Sequence, residues 1–431
     1  MSPEQLYADA VSHFRAERLD EAERLFRQVV ETDPRHVEAQ HRLGVIAHLR
    51  GRWTEAAERI QTAIGIGGGS AGHHFNLALA LHELDRYEEA AEACRAALRL
   101  KPGFVPALYM LGLALKDMGR LDEAITAYHA AGTRDPDFAE AHYGEAYARL
   151  LAGDFDAGWR KFEWRRRLTP QRVTYPQPQW TGQDIAGRTL LIHAEQGIGD
   201  TIQFARYVPV AGARGAKVIL EVQPSLVRLL SGLADQVIGF GDPVPAADFQ
   251  CPMMSLPLAL GGGNPADGPY LSAEPRPVQG GTRISIVWRG NPEHIDDRRR
   301  SMSAQAMARC FAGFDVTLVC LQKDRTDAEL AAFVGQRLID AAPDLTDFAD
   351  TAAWVAGLDL VVSVDTAVVH LAGALGVPAR VLLAYAPDWR WRLGREESDW
   401  YPSLRLVRQS APGDWESVIK IIRDQGERIW G

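Results

Sequence analysis

The segment HAEQGIGDTIQFARYV combines a glycine-rich turn with an acid, Asp200, that directly follows the second glycine. Gly197 and Gly199 fill the first two positions of a GxGxxG dinucleotide fingerprint, but Ile202 stands at the third, where a small residue is needed. The sequence therefore favours a loop whose glycines allow a tight turn and present Asp200 as a general base. The alternative is that Asp200 only caps a helix beginning at Thr201.

A second polar cluster, DTAVVH, follows the buried apolar run LVVSV. Asp365 and Thr366 are residue types that cap helices, and the helix is expected to run to Gly376. His370 then lies about one turn from the N-terminus of this helix. The free N–H groups of the first turn, with Thr366, can bind a diphosphate, and His370 can donate to a phosphate or ribose oxygen. The alternative is a plain capped helix.

A third cluster is the loop WRGNPEHIDDRRRS, residues 288–301, which leaves the apolar run ISIVW. Arginine binds phosphate in a bidentate manner, so one or two of Arg298, Arg299 and Arg300 are candidates to hold a phosphate group. The alternative is a solvated surface loop. The sequence does not indicate which arginine makes the contact.

These clusters all follow predicted strands, as do QKD and APDWRW. The carboxyl ends of parallel strands meet at one edge of a sheet, where ligands bind. The sequence therefore predicts one site. Its candidate substrate- or donor-binding residues are Gln196, Gly197, Gly199, Trp288, Arg289, Asn291, His294, Arg298, Gln322, Lys323, Asp365, Thr366, Ala367, His370, Asp388, Trp389 and Arg390.

From Arg188 onward, apolar β-rich runs alternate with helical stretches, which is typical of parallel α/β sheets. We expect two Rossmann-like lobes, residues 188–275 and 276–431, the second with a closing amphipathic helix. A proline-rich linker, residues 171–187, precedes them.

Residues 1–170 contain a repeat with a period of 34 residues. Alanines recur at Ala22, Ala56, Ala90 and Ala124, and prolines fall in the same frame at Pro34, Pro102, Pro136 and Pro170. The pattern resembles the tetratricopeptide repeat, a pair of antiparallel helices with a small residue where they cross. A fifth unit, 139–170, departs from it and ends in the aromatic, basic GWRKFEWRRR; we expect this unit to dock on the α/β half of the chain.

In the tetratricopeptide family, the concave face made by the first helices binds peptides. The candidate residues for a polypeptide partner are His41, His74, Asn76, Tyr109 and His142. The alternative is that the repeats serve only folding or dimerisation.

The composition excludes several classes of protein. A net charge of −9 over 431 residues gives no basic footprint for nucleic acid. No apolar run approaches the length that spans a bilayer, and the N-terminus lacks a signal-peptide pattern, so the cytoplasm is expected. Four scattered cysteines without a CxxC pair are expected to be buried thiols.

The second half resembles the heptosyltransferase-type glycosyltransferases of the GT-B fold, through GIGDTIQFARYVP and DLVVSVDTAVVHLAGALGVP. The whole chain resembles bacterial proteins that join tetratricopeptide repeats to such a domain, including flagellin glycosyltransferases. The resemblance implies that Asp200 is the base and that Asp365, Thr366 and His370 hold the nucleotide diphosphate. Ala367 replaces the usual glycine, and HIDDRRRS differs from the usual lysine-bearing segment, so ADP-heptose is not indicated as the donor.

The expected fold is thus a tetratricopeptide-repeat superhelix followed by an α/β GT-B transferase. The expected activity is inverting, metal-independent transfer from a nucleotide sugar to a hydroxyl of a protein, with no other cofactor. The nucleotide, the sugar and the acceptor are not specified by the sequence. Three alternatives stay open: a lipopolysaccharide-type sugar transferase, a non-catalytic repeat scaffold and, as the weakest, a dinucleotide oxidoreductase.

Overall fold

A computed structural model describes residues 2–168, 173–262, 268–294 and 296–429. It divides into two compact units, residues 1–149 and 150–431. This division falls inside the fifth repeat unit, ahead of the boundary predicted at residue 170. Pro170 and Ile295, which belong to the predicted repeat frame and arginine loop, lie outside the described residues.

The first unit consists of helix pairs that follow the predicted period. The helices are α1 (Pro3–Arg15), α2 (Leu19–Thr32), α3 (Val37–Leu49), α4 (Trp53–Gly67), α5 (Ala71–Glu83), α6 (Tyr87–Leu100), α7 (Val105–Asp117), α8 (Leu121–Arg134) and α9 (Ala139–Ala152), which crosses the division. All four recurring alanines have no exposed surface. A Cβ on Gly44 would lie 2.5 Å from Ile60 Cγ1, so α3 and α4 can pack this closely only because a glycine stands there. The predicted repeat is confirmed.

The five residues proposed for the concave face lie on the first helices of their units, and none is fully exposed. His41 is buried and its Nε2 lies 2.8 Å from Asn76 Nδ2. The Tyr109 ring packs against Tyr128 at 5.7 Å, and His142 Nε2 lies 3.1 Å from the Pro136 carbonyl. Contacts among the repeats therefore already engage most of these side chains.

The first lobe contains a four-stranded parallel sheet in the order β3-β2-β1-β4. Its strands are β1 (Thr189–His193), β2 (Lys217–Val222), β3 (Gln236–Gly239) and β4 (Phe249–Pro252). The helices before and around it are α10 (Phe155–Phe162), α11 (Arg165–Leu168), α12 (Ile198–Ala205), α13 (Val208–Gly212), α14 (Val227–Leu230) and α15 (Leu256–Ala259).

The second lobe contains a six-stranded parallel sheet in the order β10-β9-β8-β5-β6-β7. Its strands are β5 (Thr282–Val287), β6 (Val316–Cys320), β7 (Arg337–Asp340), β8 (Leu360–Val364), β9 (Ala379–Leu383) and β10 (Leu404–Arg408). Its helices are α16 (Asp297–Arg300), α17 (Ala304–Phe311), α18 (Asp327–Leu330), α19 (Phe348–Ala356), α20 (Ala367–Leu375) and α21 (Trp415–Ile429). The predicted pair of parallel α/β sheets is confirmed.

Strands β6 and β8 are buried along their whole length because both faces of the sheet are covered. Helix α21, the predicted closing helix, packs on α17. Its buried Val418, Ile419 and Ile422 join the main core of the second lobe.

Helix α10 belongs to the second unit and packs through aromatic side chains. The Trp159 ring lies 6.0 Å from Phe204 of the first lobe and 5.4 and 6.4 Å from Trp389 and Trp400 of the second. The aromatic end of the fifth repeat unit therefore contacts both lobes.

All four cysteines are free and buried, as predicted. Within the described ranges, every helix is too short or too polar to traverse a bilayer.

Candidate active site between the two lobes

A cavity of about 700 Å³ lies between the lobes, at the carboxyl ends of strands from both sheets. Its volume is in the range of small-molecule sites. Fifteen of the predicted site residues line it. They are Gln196, Gly197, Gly199, Asp200, Arg289, Asn291, His294, Gln322, Lys323, Asp365, Thr366, Ala367, His370, Asp388 and Arg390.

Asp200 faces this cavity from the first turn of α12. The helix begins at Ile198, three residues before the predicted start, with Gly197 as its N-cap. The Asp200 Oδ2 accepts a hydrogen bond of 2.8 Å from the Gly197 N–H. Asp200 is therefore the third residue of the helix and not its N-cap. Its carboxylate bonds to the N–H of the N-cap residue, and it also lines the cavity.

The glycines of this loop do not make the predicted tight turn, which is a correction. Gly197 has a φ of −69°, and Gly199 lies within the helix. Gly199 instead permits a close approach, since a Cβ on it would lie 3.0 Å from His370 Cδ2 on the opposite lobe. The absence of a side chain at Gly199 brings α12 against α20.

Arg390 links the two lobes across the site. Its guanidinium forms an ion pair with Asp200, and a second one of 2.9 Å with Asp388. Burial, with the nearby charge of Asp388, raises the pKa of Asp200 against the opposing effect of Arg390. A carboxylate with a raised pKa is a better proton acceptor at neutral pH than an ordinary aspartate.

The N-terminus of α20 faces the cavity without a side-chain cap. Thr366 is the N-cap residue, but its hydroxyl lies 2.9 Å from Ser363 Oγ and caps no N–H group of the helix. Uncapped N–H groups and the helix dipole favour an anion here. Gly376 ends the helix in the left-handed conformation, with a φ of 76°, which confirms the predicted end.

His370 is a neutral group at this helix end. Its Nδ1 lies 3.1 Å from the Tyr401 hydroxyl, and its ring stacks on Trp391. Burial and the nearby Arg390 hold its pKa well below the usual value. His370 can therefore donate a hydrogen bond to a ligand but adds no positive charge.

Asp365 precedes the helix, and its pKa lies above the usual value of an aspartate. Burial and the charge of Asp388 raise its pKa to about 6. Its backbone carbonyl lies 3.4 Å from Arg300 Nη1. The site thus holds a carboxyl group whose charge changes near physiological pH.

Of the arginines of the predicted phosphate loop, Arg300 lines the cavity and Arg298 is exposed outside it. A Cβ on Gly290 would lie 2.5 Å from Arg300 Nη2, so the glycine makes room for the guanidinium. Its closest carboxylate oxygen among the described ion pairs is Asp297 Oδ1, at 3.7 Å. Its Nε is buried without a hydrogen-bond partner among the described residues.

Arg289 also lines the cavity, but acids already surround it. It pairs with Asp324 and, at 3.1 Å, with Glu329, and it donates to the Asp324 carbonyl. Hydrogen bonds from Arg289, Trp288 and Thr326 lower the pKa of Glu329 to about 2 despite the opposing effect of burial. The charge of Arg289 is therefore compensated within the protein, whereas Arg300 is better placed for a ligand.

Trp288 and Trp389 do not line the cavity, which corrects two predicted contacts. Trp288 is fully buried in the core of the second lobe, where its Nε1 donates to Glu329 at 3.1 Å. Trp389 is covered by Trp159 and Phe162 of α10. Both indoles stabilise the walls of the site and are not placed to touch a ligand.

Several lining residues were not predicted. They are Ile198, Gln223, Ser225, Val287, Gly290, Pro292, Leu321, Asp324, Leu345, Thr346, Asp347, Phe348, Thr351 and Val368. Of these residues, Asp347 has the clearest sequence signal, because the segment DLTDFAD is typical of an N-cap residue followed by a helix. It accepts hydrogen bonds from Ala349 and Asp350, and Arg228 of the first lobe pairs with it at 2.6 Å.

Three segments of the chain match family models. Residues 7–71 and 81–150 match models of the tetratricopeptide repeat. Residues 304–397 match the model of glycosyltransferase family 9 (heptosyltransferase). The chain therefore carries tetratricopeptide repeats followed by a glycosyltransferase family 9 domain. The matched part includes Asp365, His370 and Arg390, and Asp200 lies outside it.

Among curated proteins, the chain is similar to Protein FlbA of Caulobacter vibrioides, with 26% identity over 326 residues. The match covers 64% of this chain and 53% of FlbA, so the chain spans about half the length of that relative.

Two solved structures are also similar. A crystal structure of MamA has 26% identity and a TM-score of 0.35, covering 36% of this chain and 91% of MamA. The structure of YrrB, described as a TPR protein with an unusual peptide-binding site, has 19% identity and a TM-score of 0.36, covering 39% and 86%. With TM-scores this low, neither similarity indicates a function for this chain.

Proposed function

We propose that the chain is an inverting glycosyltransferase that moves a sugar from a nucleotide sugar to a hydroxyl group. One observation carries this proposal. A single cavity presents the carboxylate of Asp200 on one lobe and, on the other, the guanidinium of Arg300 beside the uncapped end of α20. A transfer with inversion needs both a base and positive charge for a leaving diphosphate.

In the proposed reaction, the Asp200 carboxylate takes the proton from the acceptor hydroxyl. The hydroxyl oxygen forms a bond to the anomeric carbon, and the bond from that carbon to the phosphate oxygen breaks. The leaving nucleoside diphosphate keeps the bonding electrons, and Arg300 and the N–H groups of α20 stabilise its negative charge. Protein groups supply this charge, so we propose that transfer needs no metal ion and no further cofactor.

We propose that the acceptor is a protein, modified on serine or threonine in the cytoplasm and recruited by the repeats. Flagellin is one such acceptor to test. Support comes from the presence of tetratricopeptide repeats and a glycosyltransferase family 9 domain in one chain.

The proposed activity is tested by mass spectrometry of a candidate acceptor that has been co-expressed with and without this protein. The expected result is a mass increase of one or more sugars on the acceptor, only when the protein is present. A panel of nucleotide sugars in a thermal-shift assay is the companion measurement. If none of them raises the melting temperature and no acceptor gains mass, the chain is a scaffold and not an enzyme.

The role of the repeats is tested by removing residues 2–149 and keeping the unit 150–431, which contains both sheets. We expect this fragment to keep slow hydrolysis of the nucleotide sugar and to lose transfer to the polypeptide. The fragment's circular dichroism and nucleotide binding control for its folding. Transfer to the same acceptor at an unchanged rate would show that the repeats do not recruit it, and would favour a glycan acceptor.

The titration of Asp365 predicts how donor binding depends on pH. Its pKa of about 6 lies above the usual aspartate value, so the carboxyl is largely neutral at pH 5 and ionised at pH 7. The ionised form repels a diphosphate beside it, so affinity for a nucleotide sugar should fall as pH rises through this window. A nucleotide sugar is the right ligand because its diphosphate is doubly esterified and does not titrate there.

Calorimetric affinities of the wild type and of Asp365→Asn, measured from pH 5 to 7, check this expectation. The fall should be absent in the variant, because its amide carries no charge at any of these pH values. Parallel pH profiles for the two proteins would contradict it.

A further inference from the structure

The repeats bring together three side chains that can ligate a metal. Glu38 and His41 lie on α3, three residues apart and therefore on one face, and His73 lies on α5 of the next repeat. One ligand atom from each lies within 4.8 Å of the others. Among the described residues, this is the one such group with three or more members.

The distances suit a tetrahedral metal ion. Glu38 Oε1 lies 3.1 Å from His73 Nε2, and Glu38 Oε2 lies 3.9 Å from His41 Nδ1. Ligands at the usual zinc distances are about 3.4 Å apart in a tetrahedron, between these two values. All three ligand atoms lie within 4.8 Å of one another, so side-chain rotations that shorten the longest separation by up to about 1.4 Å would bring the three groups onto one ion.

The burial of the histidines supplies a second observation. The two ring centroids lie 4.2 Å apart with the ring planes inclined by 43°, and both side chains are less than a tenth exposed. His41 Nδ1 is buried and has no hydrogen-bond partner in the described part of the chain. A buried nitrogen without a partner is costly, and a metal bond to it would remove that cost.

Asn76 provides the outer contact that such a histidine ligand usually has. Its side-chain amide lies 2.8 Å from His41 Nε2. The structure places the amide nitrogen, Nδ2, against this ring atom, and a half-turn of the amide puts its oxygen there instead. Nε2 then donates its hydrogen to that oxygen and Nδ1 keeps a free lone pair, which is the tautomer that binds a metal.

We propose that Glu38, His41 and His73 form a zinc-type metal site that joins the first helices of two adjacent repeats. Two imidazoles and a carboxylate are typical zinc ligands, and the half-exposed Glu38 leaves the fourth position open to water. The site lies in the repeats and takes no part in the proposed sugar transfer. Its effect is structural, because an ion bound by both α3 and α5 stabilises the folded repeats.

The site is tested on the full chain with zinc chloride after removal of metal with a chelator. The variants are Glu38→Gln, His73→Gln and a matched control, His74→Gln, which changes the neighbouring histidine on α5 outside the cluster. We expect wild type and His74→Gln to bind one zinc ion with equal affinity in calorimetry. Glu38→Gln and His73→Gln should bind it at least about tenfold more weakly.

Cobalt(II) and thermal unfolding give independent measurements. A tetrahedral cobalt spectrum should form in wild type and His74→Gln and be absent in the two cluster variants, and zinc should raise the melting temperature only in the first pair. Glu38 is half-exposed, so Glu38→Gln is expected to fold even if His73→Gln does not. Equal zinc binding by Glu38→Gln and wild type, or no binding by wild type, would overturn the proposal.

Discussion

Asp200→Asn should lower the rate of sugar transfer by about 100- to 10,000-fold, the usual contribution of a general base. The amide cannot take the proton of the acceptor hydroxyl. Its oxygen can still accept the hydrogen bond from the Gly197 N–H, so α12 keeps its cap. Affinity for the nucleotide sugar should be nearly unchanged, because the proposed diphosphate contacts lie on the other lobe. Single-turnover transfer rates and calorimetric binding measure the two quantities separately.

Asp388→Asn is the matched control for this variant. Asp388 also pairs with Arg390, at 2.9 Å, and so reports the effect of taking one carboxylate away from that guanidinium. We expect a loss of transfer well below that of Asp200→Asn. Transfer by Asp200→Asn at the wild-type rate would remove Asp200 from the base role, and equal losses in both variants would assign the effect to Arg390.

Arg300→Ala should weaken binding of the nucleotide sugar by about 10- to 100-fold, because a charge-assisted contact to phosphate is worth roughly 1.5–3 kcal/mol. The guanidinium lies in the cavity beside Gly290, and its nearest acid among the described ion pairs, Asp297, is 3.7 Å away. Its charge is therefore available to a ligand. Calorimetric titration with a nucleotide sugar measures the loss directly.

Two neighbouring arginines serve as controls. Arg298→Ala changes an exposed residue of the same short helix and should leave affinity close to wild type. Arg289→Ala should have an intermediate effect, since that guanidinium is already paired with Asp324 and Glu329. The assignment of the phosphate contact to Arg300 is wrong if Arg298→Ala weakens binding as much as Arg300→Ala does.

Local periodicity was sufficient to predict much of the fold. The recurring alanines predicted the helix pairs, because burial of one helix face leaves a periodic signal. Seven of the ten strands were predicted in the same way, from the apolar runs TLLIHA, KVILEV, QVIGF, ISIVW, VTLVCL, LDLVVSV and ARVLLAY; β4, β7 and β10 were not predicted. β7 was missed because it lacks this burial signal. It is an edge strand with no fully buried residue, so RLID contains no apolar run.

The position of most site residues was also predictable, because parallel strands carry their loops to one edge. The roles of individual side chains were not. Arg289 and Arg300 look equivalent in the sequence, and only the acids at 324 and 329 distinguish them in space. Likewise, the Trp389 ring packs against Trp159 of α10 and does not face the cavity, and α10 lies more than 200 residues earlier in the sequence. Such pairings depend on tertiary contacts that no local pattern records.

The strand order of the second sheet affects how the chain folds during synthesis. Each repeat packs mainly on its sequence neighbours, so the repeats can fold as soon as a few have emerged from the ribosome. The unit of residues 150–431 can complete its fold only later, because it depends on contacts between residues far apart in the sequence. Strand β5 pairs with β8, and Arg206 of the first lobe donates to the Trp400 carbonyl. Until residues near 400 have been made, its apolar strands remain exposed to aggregation. The repeats are therefore folded while the cavity is still unformed.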